Sequence, residues 1–340
     1  MLESVKIISG KPQQAKFPLN TDDDHLMSLL DEQLVAYNHS DIYMHQVDDA
    51  YVSAYGLAFK NGRLIKESVY CLIKQSATPF VFYKKILQGK VVRLDKECVL
   101  FHHVWYDNYY HWFTECYPRL VLMWEQLKGK CLIVNENLKR FHHESLAILP
   151  CAEIYYCKPE EVVRAKHLTF VDMPSKAFGI HHPDVVKRLQ ERLSVEFKLK
   201  SGAIANKNIY TSRPQVGKRR CINENEVLSV LTNFGFEEVI MDDLKLKDQF
   251  ELFQNVANVA SVHGSSFVNG IFMPPNSLVV DMIEENHNDL CYFNLLKGLD
   301  INYLYLPSMG DGSKENFRNN DIRPNTAVLE SRLEKYLYKP

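Results

Sequence analysis

The stretch Val259-Ala-Ser-Val-His-Gly-Ser-Ser-Phe-Val-Asn-Gly-Ile-Phe-Met-Pro-Pro-Asn-Ser-Leu-Val-Val-Asp-Met-Ile-Glu284 reads as strand, tight turn, short helix, turn and strand. Val259, Ala260 and Val262 form an apolar run suited to a strand buried on both faces. His263 and Gly264 make the turn, and Ser265 or Ser266 can cap the helix that follows. Phe267, Ile271 and Phe272 give that helix an apolar side, and Pro274 and Pro275 stop it. A helix starting at the carboxyl end of a parallel strand turns its first N–H groups outward, which suits an anion. Gly264 leaves room for a phosphate at the backbone, and His263 can add a donor. A plain βαβ turn whose glycine only relieves strain fits the same pattern.

Outward from this stretch the second half alternates regularly. Ile209 to Thr211 is a strand leading into Ser212-Arg213-Pro214. Asn223-x-x-Glu226 resembles a capping box before a helix with Val227, Leu231 and Phe234 on one face, and Gly235 is its C′ residue. Strand Glu238 to Met241 and a helix bearing Leu246, Phe250 and Phe253 follow. A helix over residues 291–298 and a strand over 302–306 complete the series. This alternation implies a doubly wound parallel sheet with its ligand at the carboxyl ends of the strands. Arg213 then sits at a strand end, ahead of a basic loop with Lys218, Arg219 and Arg220. Guanidinium groups there bind phosphate bidentately, although a solvated loop is the simpler reading for Lys218.

The first half is less regular. A short helix is expected over residues 25–37, and Asp22-Asp23-Asp24 ahead of it reads as a solvated loop rather than a metal site. Strands are expected over residues 51–59, 64–73 and 91–99, with Asn61-Gly62 as a hairpin turn. Further strands fall at 131–134, 153–156 and 167–171, with helices over 138–149 and 185–200 and a polar linker over 201–207. If Asn108-Tyr-Tyr-His-Trp-Phe-Thr-Glu-Cys-Tyr-Pro-Arg119 opens a helix, His111 and Glu115 share one face at i, i+4. Such a pair can perform general-base work, hold part of a metal site with His102, His103 or Asp107, or simply form an internal hydrogen bond.

Composition bounds the answer. A chain of 340 residues with 46% hydrophobic and 24% charged residues is ordinary for a globular protein of about two domains. A formal net charge of −2 gives no electrostatic reason to invoke nucleic acid. No apolar run reaches the ~18 residues of a membrane span, and the first residues lack a signal-peptide pattern. The eight cysteines form no Cys-x-x-Cys pair and read as reduced, buried thiols.

Together, three motifs resemble glycosyltransferase family 61. They are Asn108-x-x-His111-Trp-Phe-x-Glu115-x-x-Pro118-Arg119, Ser212-Arg213-x5-Arg219-Arg220-x-Ile222-Asn223-Glu224-x-Glu226-Val227, and Val262-His263-Gly264-Ser265-x-x-x-Asn269-x-x-Phe272-Met273-Pro274-Pro275-Asn276. Ser265 departs from the alanine usual there. The resemblance implies an α/β protein of GT-B type, two Rossmann-like domains facing across a cleft. On that basis residues 1–185 form an acceptor-side domain and 186–325 a nucleotide-sugar-binding domain, and the helix at 326–340 returns to the first. It implies inverting, metal-independent transfer from a nucleotide-sugar, a UDP-sugar, to a hydroxyl of a glycan or lipid-linked glycan. Glu115 is then the base, and His111 orients it or the acceptor. The donor site comprises Arg213, Arg219, Arg220, Asn223, Glu224, His263, Gly264, Ser265, Ser266, Asn269 and Glu284, with no metal ligand. No further cofactor and no nucleic-acid partner are expected. The missing leader and anchor fit the bacterial branch, acting in capsule or other surface polysaccharide synthesis in the cytoplasm with peripheral membrane association. A pyruvyltransferase-like enzyme on the same scaffold and a non-catalytic binding protein are the alternatives.

Overall fold

The computed structural model describes residues 1–12, 16–36, 38–69, 84–176, 179–200, 202, 204–213 and 217–337. The chain divides into two compact units: Met1–Gln13 with Asn38–Phe197, and Gln14–Tyr37 with Lys198–Pro340.

The first unit contains β1 (Leu2–Ile8), β2 (Ile42–Ser53), β3 (Ala58–Lys60), β4 (Arg63–Leu64), β5 (Val91–Leu100), β6 (Cys131–Asn135), β7 (Glu153–Cys157) and β8 (Val162–Val171). They form one mixed sheet in the order β4-β3-β2-β8-β5-β6-β7, with β1 paired to β2. Strands β8, β5, β6 and β7 are parallel, whereas β1, β2, β3 and β4 pair antiparallel. A Rossmann-like first half was expected, and this sheet departs from it: strands β1 to β4 join it through antiparallel pairing. Asn61 and Gly62, at φ 47° and 77°, make the turn between β3 and β4, as two left-handed positions require. The expected strand over 51–59 is broken at Gly56, whose Cβ would lie 2.1 Å from the His102 carbonyl. The strand expected over 64–73 ends at Leu64 and gives way to a 3-10 turn at Lys66–Ser68; residues 70–73 lie outside the described residues. A two-stranded ribbon of β9 (Ser175–Lys176) and β10 (Ile180–His181) precedes the helix Pro183–Glu196, which buries Val185, Val186, Leu189 and Leu193.

The second unit carries β11 (Lys207–Ser212), β12 (Phe236–Ile240), β13 (Val256–Val262), β14 (Leu278–Glu284), β15 (Asn302–Gly310) and β16 (Ile322–Arg323) in the order β12-β11-β13-β14-β15-β16. The first five are parallel and β16 is antiparallel. Strand order reverses between β11 and β13, and such a switch point opens a crevice at the carboxyl ends of the two strands. Helices Glu224–Asn233 and Leu246–Phe253 connect the first three strands.

Two segments join this unit against expectation. Thr326–Leu337, expected to return to the first domain, belongs to the second unit: Leu329 and Leu333 lie in one apolar core with Val227 and Leu231, and Arg332 pairs with Asp22 at 2.8 Å. The 14–37 segment is tied to β15, where the Asn20 amide bonds the Tyr305 backbone in both directions at 2.7 and 3.1 Å. Within it Asp23 caps the helix Asp24–Ala36 by accepting from the Leu26 N–H. Asn223 does not cap its helix either; its amide donates to Glu226 and to the Pro324 carbonyl. Among the described residues no helix is long and apolar enough to cross a membrane.

Buried imidazoles give the first unit a pH signature. Burial pushes His102 and His142 down to about 4 from the usual 6.5. Between those values the unfolded chain binds more protons, so stability is lost as pH falls from about 6.5 towards 4. The denaturant midpoint should therefore drop across that window, and a midpoint constant across it would contradict these burial assignments.

Candidate active site

The first cluster stands where β5 ends. Asn108 accepts from the Tyr110 N–H and starts a composite helix: an α turn at Tyr109–His111, a π segment at Trp112–Cys116 and an α segment at Tyr117–Leu122. Single π turns inside α-helices recur at functional sites. Arg119, fully buried, anchors the helix by donating to the Val171 carbonyl at 2.6 Å and the Phe101 carbonyl at 2.9 Å. It thereby clamps the helix to the ends of β8 and β5, and burial pushes its guanidinium down to about 10. Trp112 donates to Ser145 from the same helix.

This clamp presents Glu115. His111 Nδ1 lies 2.6 Å and His103 Nε2 3.0 Å from Glu115 Oε2, while Ser175 donates to Oε1 at 3.3 Å. The expected i, i+4 pairing is thus present, with His103 added. Burial alone would raise the Glu115 carboxyl, but the two histidines outweigh it and hold the group well below the usual carboxylate range. An ionised Glu115 accepts only, so His111 donates from Nδ1. The carboxylate side chain is 1% exposed and the His111 ring 25% exposed. Trp105 stacks on that ring at 6.2 Å, and burial lowers His103.

The second cluster occupies the switch point of the second unit. Arg213 follows β11, and its Nη1 donates to the His263 carbonyl at 3.3 Å. A Cβ on Gly264 would stand 3.1 Å from that Nη1 and 3.2 Å from the Val262 carbonyl. The missing side chain therefore admits the Arg213 guanidinium, where the sequence suggested room for a phosphate. Burial first, then the charge of Arg219, lowers Arg213. Among the described residues neither arginine pairs with a carboxylate within 4.0 Å. Among the described residues, Ser212 Oγ and Arg219 Nε are buried without a hydrogen-bond partner. A pocket of about 290 Å³ opens here, lined by Tyr210, Arg213, Arg220, Cys221, Glu224 and Val262.

The other expected donor-site residues have varied placements. Arg220 borders the pocket, but its side chain is engaged by Asp321 at 2.6 and 2.8 Å. Glu224 accepts from Tyr210 at 2.8 Å. Asn269 is buried and donates to Gln249, and Glu284 caps its own turn by accepting from the backbone and side chain of Asn286. The expected helix after Gly264 is a 3-10 helix, Ser265–Phe272, without a side-chain cap. Ser266 instead shares a hydrogen bond with Thr211 at 3.0 Å. His263 is turned inward: its Nδ1 meets Asp281 at 2.7 Å, and its ring packs on His287 and Tyr292. Ser175 and Asp281 were not singled out from sequence. For Asp281 the signal was a charged residue inside an otherwise apolar strand.

Gly264→Ala tests the close approach. The methyl group must displace Arg213 by a few tenths of an ångström without crowding the core. Pyrophosphate or nucleoside diphosphate affinity should fall by about tenfold, near 1.4 kcal/mol, with little change in melting temperature. Unchanged affinity would separate Gly264 from the anion site.

Comparison with known families gives a match to the glycosyltransferase 61 model over residues 109–280. That range begins at the helix carrying His111 and Glu115 and ends in β14, so it contains that pair, Arg213, Arg219 and the Gly264 turn, while His103 lies just before it. Comparison with curated proteins gives no match. The family model spans just over half of the 340 residues, and the chain belongs to the glycosyltransferase 61 family.

Proposed function

We propose that the protein is an inverting glycosyltransferase that moves a sugar from a nucleotide-sugar to a hydroxyl of a glycan or lipid-linked glycan. The observation that carries this reading is the Arg213 guanidinium lining the pocket at the switch point, with Arg219 acting on it electrostatically and neither arginine within 4.0 Å of a carboxylate among the described residues. Two guanidinium groups with no carboxylate within 4.0 Å and a Ser212 hydroxyl without a hydrogen-bond partner, all among the described residues, suit a diphosphate. The UDP moiety, a role in bacterial surface polysaccharide synthesis and a cytoplasmic, membrane-facing location follow the family resemblance alone.

In a single displacement the acceptor oxygen attacks the anomeric carbon while the bond from that carbon to the diphosphate oxygen breaks. The acceptor proton goes to a base, and the leaving diphosphate gains negative charge. Arg213, Arg219 and the first N–H groups of the 3-10 helix stabilise that charge without needing an exchangeable cation. The exposure contrast in the first cluster favours His111 as the base, with Glu115 as the residue that orients it and stabilises the imidazolium. That exchanges the roles suggested by the sequence. A carboxylate buried to 1% and held far below its usual range is a weak proton acceptor, whereas His111 reaches solvent.

Arg213→Ala should weaken donor binding by about 10- to 100-fold, the scale of a charged hydrogen bond, and leave the fold intact. Unchanged donor affinity and rate would remove Arg213 from the site. His111→Ala should lower turnover by ~10²- to 10⁴-fold. Glu115→Gln should lower it less, because the amide can still accept from His111 and orient the ring but cannot stabilise the imidazolium. If Glu115→Gln lowers turnover as far as His111→Ala does, Glu115 itself is the base.

A further inference from the structure

The turn after β14 brings together groups that phosphate binding does not use. His263 comes from the end of β13, and His287, Asp289 and Cys291 come from the segment following β14. One ligand atom from each of His263, His287 and Asp289 lies within 4.8 Å of the others. His287 Nε2 stands 3.8 Å from Asp289 Oδ2, and Cys291 Sγ stands 4.0 Å from His263 Nε2. His263, His287 and Cys291 are buried, and Asp289 is half-buried. On the far side of the His263 ring, Nδ1 faces the fully buried Asp281, which also accepts from the Tyr303 hydroxyl.

We propose that His263, His287, Asp289 and Cys291 form a structural zinc site in the second unit. Zinc takes imidazole nitrogen, thiolate and carboxylate in a tetrahedron, with Zn–N of about 2.0–2.1 Å and Zn–S of about 2.3 Å. Ligand atoms on such a tetrahedron stand about 3.4–3.6 Å apart; the pairs at 3.8 and 4.0 Å are close to this, while the other pairs among His263, His287 and Asp289 lie within 4.8 Å, so the turn carrying His287, Asp289 and Cys291 has to draw in by up to about 1 Å to complete the sphere. The mixed nitrogen, oxygen and sulfur set favours zinc over calcium or magnesium, which prefer oxygen alone. The Asp281–His263 pair is the carboxylate–histidine arrangement that fixes the tautomer and orientation of a metal-bound imidazole. Charge also balances: the ion offsets the Asp289 carboxylate and the Cys291 thiolate. Four protein ligands close the coordination sphere, so the ion is structural and compatible with turnover that needs no added metal. It ties the turn after β14 to the end of β13, next to the Gly264 backbone that Arg213 crosses. The cluster of His103, His111 and Glu115 lacks this geometry, because both imidazoles converge on one carboxylate oxygen.

The inference does not depend on sugar transfer, and its readouts are independent of turnover. Protein purified without chelator should contain stoichiometric zinc by elemental analysis. After removal with a chelator its melting temperature should fall, and zinc should restore it. Cobalt(II) added to the metal-free protein should give the visible bands of a tetrahedral ion and a near-ultraviolet thiolate-to-cobalt band. Cys291→Ser should remove the thiolate band and His287→Ala the binding, while His111→Ala leaves the metal content unchanged. If the His287 and Cys291 variants fail to fold, the wild-type cobalt spectrum decides alone. No tight binding of zinc or cobalt by the folded protein, a cobalt spectrum without thiolate character, or binding lost only in His111→Ala would each overturn the assignment.

Discussion

The parallel pairing of β11 with β13 is the constraint on which the candidate donor site depends. Ile209, Tyr210 and Thr211 run beside Val259, Ala260 and Ser261, so both strands end at the same level. Helix connections leave from there to opposite sides of the order reversal, and side chains at the strand ends cannot be covered by a neighbouring connection. Arg213 and the Gly264 turn therefore meet at a crevice. The guanidinium crosses the backbone at a distance that a Cβ would make tight. With Arg219 nearby and no carboxylate partner for either arginine among the described residues, the crevice holds positive charge in a place that buries part of it. An anion is the group that such an arrangement lacks.

The first unit solves a different problem with a buried charge. Glu115 would be costly if isolated, and it is kept ionised by imidazole contacts on one oxygen and the Ser175 hydroxyl on the other. The helix that carries it is held by Arg119, whose donors satisfy carbonyls at the ends of two strands. Rigid support of this kind keeps His111 in one orientation, which general-base work requires. Loss of Arg119 would release the helix, so damage there would mimic a catalytic defect while its origin lay in packing.

Local pattern carried much of this architecture. Buried parallel strands read as apolar runs, and Asn61-Gly62 and Pro274-Pro275 punctuate the chain through backbone geometry that few other residues supply. The i, i+4 relation of His111 and Glu115 survives the π segment because both still face the same side. What the sequence concealed depends on distant partners. Leu329 and Leu333 announce an apolar helix face but not the surface that covers it. Asn20 reveals its place only when Tyr305, 285 residues away, is beside it. Arg213 and Arg220 are the same residue type in one basic stretch, yet Asp321 engages the second and leaves the first to the crevice. Gly264 was legible as a close approach, although the approaching group is a side chain of the protein itself.

Hydrogen–deuterium exchange with and without a nucleoside diphosphate tests the central claim most directly. The account predicts slowed exchange at the carboxyl end of β11 and at the turn joining β13 to the 3-10 helix, with the helix carrying His111 and Glu115 unchanged by the diphosphate alone. Protection confined to other segments, or no protection at a concentration that saturates binding, would contradict it.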